Sequence, residues 1–327
     1  MAMIKAGIIG GTGLVAGELL RLLVNHNQVE IDFVYSHSSA GTKIAEVHSD
    51  LFGQIDTEFT NKVNLEIDVV FLCLGHGNSK SFIEKYNFSE NTKIIDLSND
   101  FRLVNDAIFK GKQFVYGLPE LNLEQIKTAN YIANPGCFAT ALQTALLPLA
   151  KNGLLNSDVH IHALTGATGA GRTLSETTSF NWRNNNISVY KSFTHQHLGE
   201  ITESVKSLQA DFNKDINFVP MRGDFARGIF ASVYLKSNID IKLVKQYFDA
   251  FYKDAKFTHI SENPIHLKQV VNTNNCFVNI EKYDNKIHIT VAVDNLLKGA
   301  SGQAVHNMNL MFGFAEDEGL KLKANNF

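Results

Sequence analysis

Cysteine is scarce. The 327 residues contain only Cys73, Cys137 and Cys276. An odd count without paired spacing excludes a disulfide framework, and the lack of any CxxC pair speaks against a zinc knuckle. Each thiol is left as core filler or as a nucleophile. Proline is also rare, at 5 residues, and there is no proline-rich linker, internal repeat or low-complexity tract. No apolar run approaches the roughly 18 residues that a spanning helix needs. Neither sign of charge is in excess: 30 Lys plus Arg stand against 33 Asp plus Glu, a net charge of −3. That balance speaks against a nucleic-acid or anionic-membrane binder. The start, MAMIKAGIIGGTG, lacks the basic, then long apolar, then small-residue order of a signal peptide. A soluble, cytoplasmic protein is expected.

What is present is globular. Hydrophobic residues make up 44% and charged residues 19%, and the length suits two domains or one large α/β unit. The first 135 residues alternate strand and helix. Strands are expected at Ile4–Ile9, Val29–Tyr35, Asp68–Leu74, Lys93–Leu97 and Tyr131–Ala133, with a helix at Glu18–Val24. The run DVVFLCL is apolar throughout, as a strand buried on both faces should be. Such alternation implies a parallel, doubly wound sheet with right-handed crossovers. Later, VHIHAL (159–164), GIFASVYL (228–235) and KIHITVAV (286–293) alternate with period two, which suits a largely antiparallel sheet covered on one face. Helices are expected at Asp240–Tyr252 and Gly302–Phe314. The fold class is therefore α/β: a Rossmann-type domain over residues 1–137, and a second α+β domain over 138–301 on a mixed or antiparallel sheet. Residues 302–327 are expected to return to the first domain.

Two segments carry chemistry. The first is Gly10-Gly11-Thr12-Gly13-Leu14-Val15-Ala16-Gly17, which follows a strand and opens a helix. In that context glycines permit a tight turn and close backbone approach. A pyrophosphate can then sit on free N–H groups at the positive end of the helix. Gly10, Thr12, Gly13 and Leu14 are the expected contacts. About twenty residues on, an NAD-selective site usually offers an acid to the ribose 2′-hydroxyl. Here the strand tip reads Ser36-His37-Ser38-Ser39, and the nearest acid, Asp32, lies within the strand. Hydroxyls at Ser36, Ser38 and Ser39 accept a 2′-phosphate without repulsion, so NADP is the expected cofactor.

The second segment is Asn134-Pro135-Gly136-Cys137, followed by the nearly all-apolar run FATALQTALLPLA. Pro135 and Gly136 end a strand, and Cys137 opens a buried helix. There the helix dipole and backbone N–H groups favour a thiolate and can hold an oxyanion formed at the sulfur. A thiolate working with a dinucleotide attacks an activated acyl carbon, and hydride then reduces the thioester toward an aldehyde.

Taken together, these segments resemble the N-acetyl-gamma-glutamyl-phosphate reductase family, relatives of aspartate-semialdehyde dehydrogenase. The resemblance rests on GGTGLVAGELLRLL, SSAGTKIAEVHSDL, DVVFLCLGHGNS, IIDLSNDFRL, YGLPELN, NPGCFATALQTALLPL, TGATGAGR, HQHLGEI and DNLLKGASGQAVHNMNLMFG. Leu14, Gly75 and Gly199 stand where the family commonly has Tyr, Pro and Pro. The resemblance implies NADPH-dependent reduction of an acylated glutamyl phosphate to its semialdehyde, with release of phosphate. It places the acid–base histidine in Thr194-His195-Gln196-His197-Leu198-Gly199-Glu200. His197 is the first choice, since Glu200 would orient it across one helical turn, and His195 is the alternative. A zinc pair is not expected, because a spacing of two turns the rings apart on a helix.

Gly75 and Gly169 join the cofactor loops. On the substrate side stand Asn134, Glu200, Arg102 and Arg172, with Arg222 and Arg227 as further guanidinium candidates for a dianionic substrate. Alternatives remain at this stage: an N-succinyl or carrier-bound substrate, aspartate-semialdehyde dehydrogenase activity, or a catalytically silent dinucleotide sensor. An exposed sheet in the second domain would suit a homodimer or homotetramer.

Overall fold

The computed structural model describes residues 3–326. The chain divides into two compact units. Unit 1 takes in residues up to Pro135 together with Ala300–Lys321, and unit 2 takes in Gly136–Gly299 and residues from Leu322 on.

Unit 1 is built on a six-stranded parallel sheet. Its elements are β1 (Ile4–Ile9), α1 (Leu14–Leu23), β2 (Val29–Tyr35), β3 (Val69–Leu72), α2 (Ser79–Lys85), β4 (Lys93–Asp96), β5 (Val115–Tyr116), α3 (Pro119–Thr128) and β6 (Tyr131–Ala133). The strand order is β2-β1-β3-β4-β6-β5. β3 is buried at all four residues, which is why its sequence does not alternate. The helix after the glycine turn starts at Leu14, four residues earlier than its leucine periodicity alone suggests, because Gly13 in extended conformation serves as the N-cap. The C-terminal helix Gly302–Phe312 belongs to this unit and ends on Gly313 in the left-handed conformation. It is tied in by Ser301 Oγ to the Val15 carbonyl (2.7 Å) and by Gln303 and Asn307 amides to the Gly117 carbonyl (3.0 and 2.9 Å). Residues from Leu322 on group with unit 2 instead.

Unit 2 carries α4 (Cys137–Lys151), β7 (Val159–Thr165), β8 (Ser188–Val189), α5 (His197–Leu208), β9 (Ile216–Arg222), β10 (Ile229–Lys236), α6 (Ile241–Tyr252), β11 (Thr258–Ser261), β12 (Cys276–Tyr283) and β13 (Lys286–Val293). The seven strands lie in the order β8-β9-β7-β10-β13-β12-β11. The sheet is mixed: β9 runs parallel to β7 and β11 to β12, and the remaining pairs are antiparallel. Alternate residues of β10 (Ile229, Ala231, Val233, Leu235) are buried, and those between are only half-buried. The buried set packs with α4, α5 and α6 into one core containing Leu142, Leu146, Val205, Phe218 and Phe248. Each such side chain contributes about 1.5–3 kcal/mol of burial. The unit boundary falls before Gly136, so Cys137 heads the central helix of unit 2 and is not the last residue of the first domain.

Candidate active site

The two histidines, the glutamate and the cysteine singled out in the sequence converge within unit 2. Cys137 is the first residue of α4 and is half-buried. The residue before it, Gly136, is the N-cap, in extended conformation with no side-chain cap of its own. A carboxylate fixes this residue: Glu200 Oε2 accepts from the Gly136 N–H at 2.9 Å. The same carboxylate faces the His197 ring, Nε2 to Oε1, at 3.9 Å. That ring lies flat against Gly136. A Cβ added there would run into its Nε2, Cε1 and Cδ2 atoms, so only glycine lets the imidazole approach the start of α4. Gly299 packs close to the Cys137 Cβ, in the π-helical turn Leu297–Ser301.

His195 has a different role from its neighbour. Its Nδ1 accepts from the His197 backbone N–H at 3.2 Å, at the head of α5. Burial, with Lys191 nearby as a lesser cause, lowers its pKa to about 4. His195 is therefore a neutral acceptor at physiological pH. One residue of this neighbourhood carries no signal in the sequence. Tyr190, just after β8, has its ring 5.9 Å edge-on from that of His195, with the Arg222 guanidinium 4.6 Å above its centroid.

The other arginine candidates separate. Arg227 is held bidentately by Asp294 (3.0 and 3.1 Å), which also accepts from Asn272, Leu296 and Leu297 N–H groups. Arg172 is exposed, in the segment after the turn Ala167–Ala170 that also holds the exposed Gly169. In unit 1, Arg102 is buried and bonds two carbonyls, Asn134 O from Nε (2.8 Å) and Leu97 O from Nη2 (3.0 Å). Asn134 is buried as well. Its N–H donates to Asp96 O, its Nδ2 to Ala300 O, and its Oδ1 accepts from Asn307. As placed, both residues anchor the chain just before Pro135.

The glycine turn of unit 1 suits a dinucleotide. Gly10 has φ +80°, and a side chain there would strike the Cys73 carbonyl at 2.5 Å. Gly10 and Gly11 both donate to the Tyr35 carbonyl, which binds the turn to the tip of β2. Thr12, Gly13 and Leu14 are half-buried, and no acid stands in the first turn of α1, so the helix start keeps its positive end. At the β2 tip Ser36 is buried, Ser39 half-buried and Ser38 exposed. Asp32 lies back along the strand, bonded by Asn64 (3.1 Å) and paired with Lys5 (3.7 Å). The exposed Gly75 opens a loop fixed by Asp100, which accepts from Gly77, Ser79 and Lys80 N–H groups. Behind it, Asp96 is fully buried between the hydroxyls of Ser79 (2.5 Å) and Ser98 (2.7 Å), and its carboxyl is raised to about 6 by burial. Among the described residues no group of three His, Cys, Asp or Glu side chains is placed to hold a metal ion.

A thiol at a helix start with histidine and glutamate beside it, and a glycine-turn sheet domain in the same chain, define a semialdehyde-dehydrogenase type of oxidoreductase. Family models agree: residues 5–129 match the semialdehyde dehydrogenase NAD binding domain, and residues 137–295 the semialdehyde dehydrogenase dimerisation domain. The chain belongs to the N-acetyl-gamma-glutamyl-phosphate reductase family. It is 59% identical to the protein of that name from Christiangramia forsetii over 99% of this chain and 100% of the relative. It is 56% identical to that from Flavobacterium johnsoniae, again over 99% and 100%. Among solved structures, aspartate semialdehyde dehydrogenase II from Vibrio cholerae matches with a TM-score of 0.71 at 17% identity, covering 95% of this chain and 99% of that one. Aspartate semialdehyde dehydrogenase with NADP from Candida albicans matches at 0.67 and 17%, with the same coverage. At that identity the likeness shows the fold.

Proposed function

We propose that this protein reduces N-acetyl-gamma-glutamyl phosphate to N-acetylglutamate semialdehyde, with NADPH as reductant and Cys137 as nucleophile, as a step of arginine biosynthesis in the cytoplasm. The observation that carries this reading is the grouping of Glu200, His197 and Gly136 around the first residue of α4. The thiolate at Cys137 gains from the helix start and from an imidazolium at His197. It attacks the acyl carbon, the carbon–oxygen bond to phosphate breaks, and phosphate leaves as a thioester forms. Backbone N–H groups of the first turn of α4 hold the oxygen that becomes negative. The dinucleotide, when bound at Gly10–Leu14 and Ser36–Ser39, supplies the hydride that reduces the thioester.

His197 gives a proton to the substrate oxygen and recovers it when the carbon–sulfur bond breaks. His195, neutral and accepting at Nδ1, fixes the head of α5 and leaves proton transfer to His197. Glu200 acts by position, joining Gly136 and His197, and Arg102 and Asn134 act by anchoring the segment that leads into Cys137. Arg172 and Arg222 remain the guanidinium groups for the substrate's carboxylate and phosphate, with Gly75 and Gly169 as close-approach loops. The active form is a homo-oligomer.

The test runs in the reverse direction with NADP, phosphate and either N-acetylglutamate semialdehyde or aspartate semialdehyde. The acetylated substrate should be preferred, and Cys137→Ser should lose at least about a thousandfold in rate. Equal turnover of the two aldehydes, or an active Cys137→Ser, refutes the assignment.

A further inference from the structure

Asp294 is fully buried, and no step of the mechanism above uses it. β10 pairs with β13 through Ile229 and Val293, so the chain entering one strand and the chain leaving the other meet at that end of the sheet. There the Asp294 carboxylate takes one hydrogen bond at each oxygen from the Arg227 fork, at 3.1 Å from Nε and 3.0 Å from Nη2. It also accepts from the N–H groups of Asn272 (2.8 Å), Leu296 (2.8 Å) and Leu297 (3.0 Å). A buried charge is stable only when paired and bonded in this way, so these partners together fix where Asp294 lies. Leu296 and Leu297 lead into the π-helical turn Leu297–Ser301, and the Asp294 carbonyl accepts from the Gly299 N–H of that turn at 2.9 Å. A Cβ added to Gly299 would stand 2.8 Å from the Cys137 Cβ, 3.2 Å from its Cα and 3.3 Å from the Asp294 carbonyl oxygen. The buried acid and the first residue of α4 thus share Gly299 as a close neighbour. The Arg227 side is tied as well, because the next N–H, of Gly228, donates to Asn295 Oδ1 at 2.6 Å.

We propose that Asp294, gripped by Arg227, is a positioning residue for the Cys137 thiol. It acts through Gly299: the hydrogen bonds at Asp294 fix the turn, and the turn lies against the Cα and Cβ of Cys137, where only glycine fits. The side chain of Cys137 is thereby confined on that side. This rests on Cys137 being the nucleophile. Positioning of this kind acts on the rate of the chemical step rather than on substrate affinity, and a displacement of about 1 Å can cost on the order of a hundredfold.

The experiment is steady-state kinetics of the whole chain with NADP, phosphate and N-acetylglutamate semialdehyde, with urea unfolding of each variant alongside. Asp294→Asn keeps the shape and removes the charge that Arg227 grips. Its kcat should fall at least about tenfold while KM for the aldehyde stays within about twofold. Arg227→Met should give the same split to a lesser degree, and Arg227→Lys, which keeps the charge, should regain part of it. Phe248→Leu, in the core of unit 2, should lower stability and leave kcat unchanged. A wild-type kcat in Asp294→Asn overturns the proposal, as does a Phe248→Leu protein that loses kcat in the same proportion to its stability. If Asp294→Asn does not fold, equal kcat for wild type, Arg227→Met and Arg227→Lys overturns it instead. A Cys137→Ser protein with full activity removes the nucleophile and this proposal together. An inactive Cys137→Ser protein with an unchanged kcat in Asp294→Asn removes this proposal alone.

Discussion

Single atoms decide much of this site. At Gly136 the absence of a Cβ lets the His197 ring lie against the start of α4, while the N–H of the same residue engages Glu200. Gly136→Ala must displace the imidazole or shift the backbone. It should cost about 1–3 kcal/mol of stability, readable in urea unfolding, and lower kcat much more than it alters KM. A variant with wild-type kcat would show that the ring's place does not matter. Asp96 offers a test of opposite character. Burial raises its carboxyl to about 6, so the native state takes up a proton at a pH where the unfolded chain, near 3.8, does not. Folding is therefore favoured by this group below pH 4, and that advantage fades as pH rises through 6. Asp96→Asn removes the titration. Its stability relative to wild type should improve by an amount on the order of 2 kcal/mol between pH 4 and pH 7. A difference that does not change with pH in paired urea titrations contradicts a buried, proton-binding Asp96.

At the scale of elements, the sequence is most legible where the period is strong. The buried run of β3, the alternation of β10 and β13 and the apolar helix from Cys137 can each be read directly from residue type. Tyr190 cannot, because it sits in an irregular segment and Arg222 is brought beside it by strand pairing rather than by spacing. Arg102 and Asn134 show the opposite limit. Their chemistry suits an anionic substrate, yet tertiary hydrogen bonds direct both toward main-chain carbonyls and a neighbouring amide. The expectation of a mixed or antiparallel sheet in unit 2 is met by mixed pairing; local pattern leaves open which strands run parallel, since β9 reaches β7 through the crossover that contains α5. The tip of β2 carries the element-level prediction. With hydroxyls at Ser36, Ser38 and Ser39 and Asp32 engaged back along the strand, a 2′-phosphate meets no carboxylate. Ser38→Asp puts one there, and kcat/KM for NADPH should fall at least tenfold while that for NADH holds or rises. Unchanged discrimination in steady-state kinetics would move the selectivity away from this tip.

At the scale of the whole molecule, the sheet of unit 2 has one face under α4, α5 and α6, and on its second face the segment with Ile265, Leu267 and Val270 packs on Phe230, Phe277 and Ala292. Along that second face Leu164, Ser232, Tyr234, Phe277 and Thr290 are only half-buried, with His160 stacked on Tyr234 at 5.0 Å. A broad sheet face mixing aliphatic, aromatic and small polar side chains suits a self-complementary contact better than bulk water. The expected assembly is a homodimer or a multiple of it, with a light-scattering mass at least about twice the 36.3 kDa of one chain. Thr290 pairs with Ser232 near the middle of this face. In a two-fold contact any substitution there occurs twice, so Thr290→Arg sets two like charges close together and buries both. It should yield the single-chain mass. A matched control, Leu243→Arg on the exposed side of α6, should leave the mass unchanged. If Thr290→Arg assembles as the wild type does, the contact lies elsewhere and the half-buried face has another explanation. If it dissociates and also loses turnover while Leu243→Arg does not, association supports the catalytic helix. That link is reasonable on physical grounds, because β10 and β13 form the floor on which α4, with Cys137 at its head, is packed.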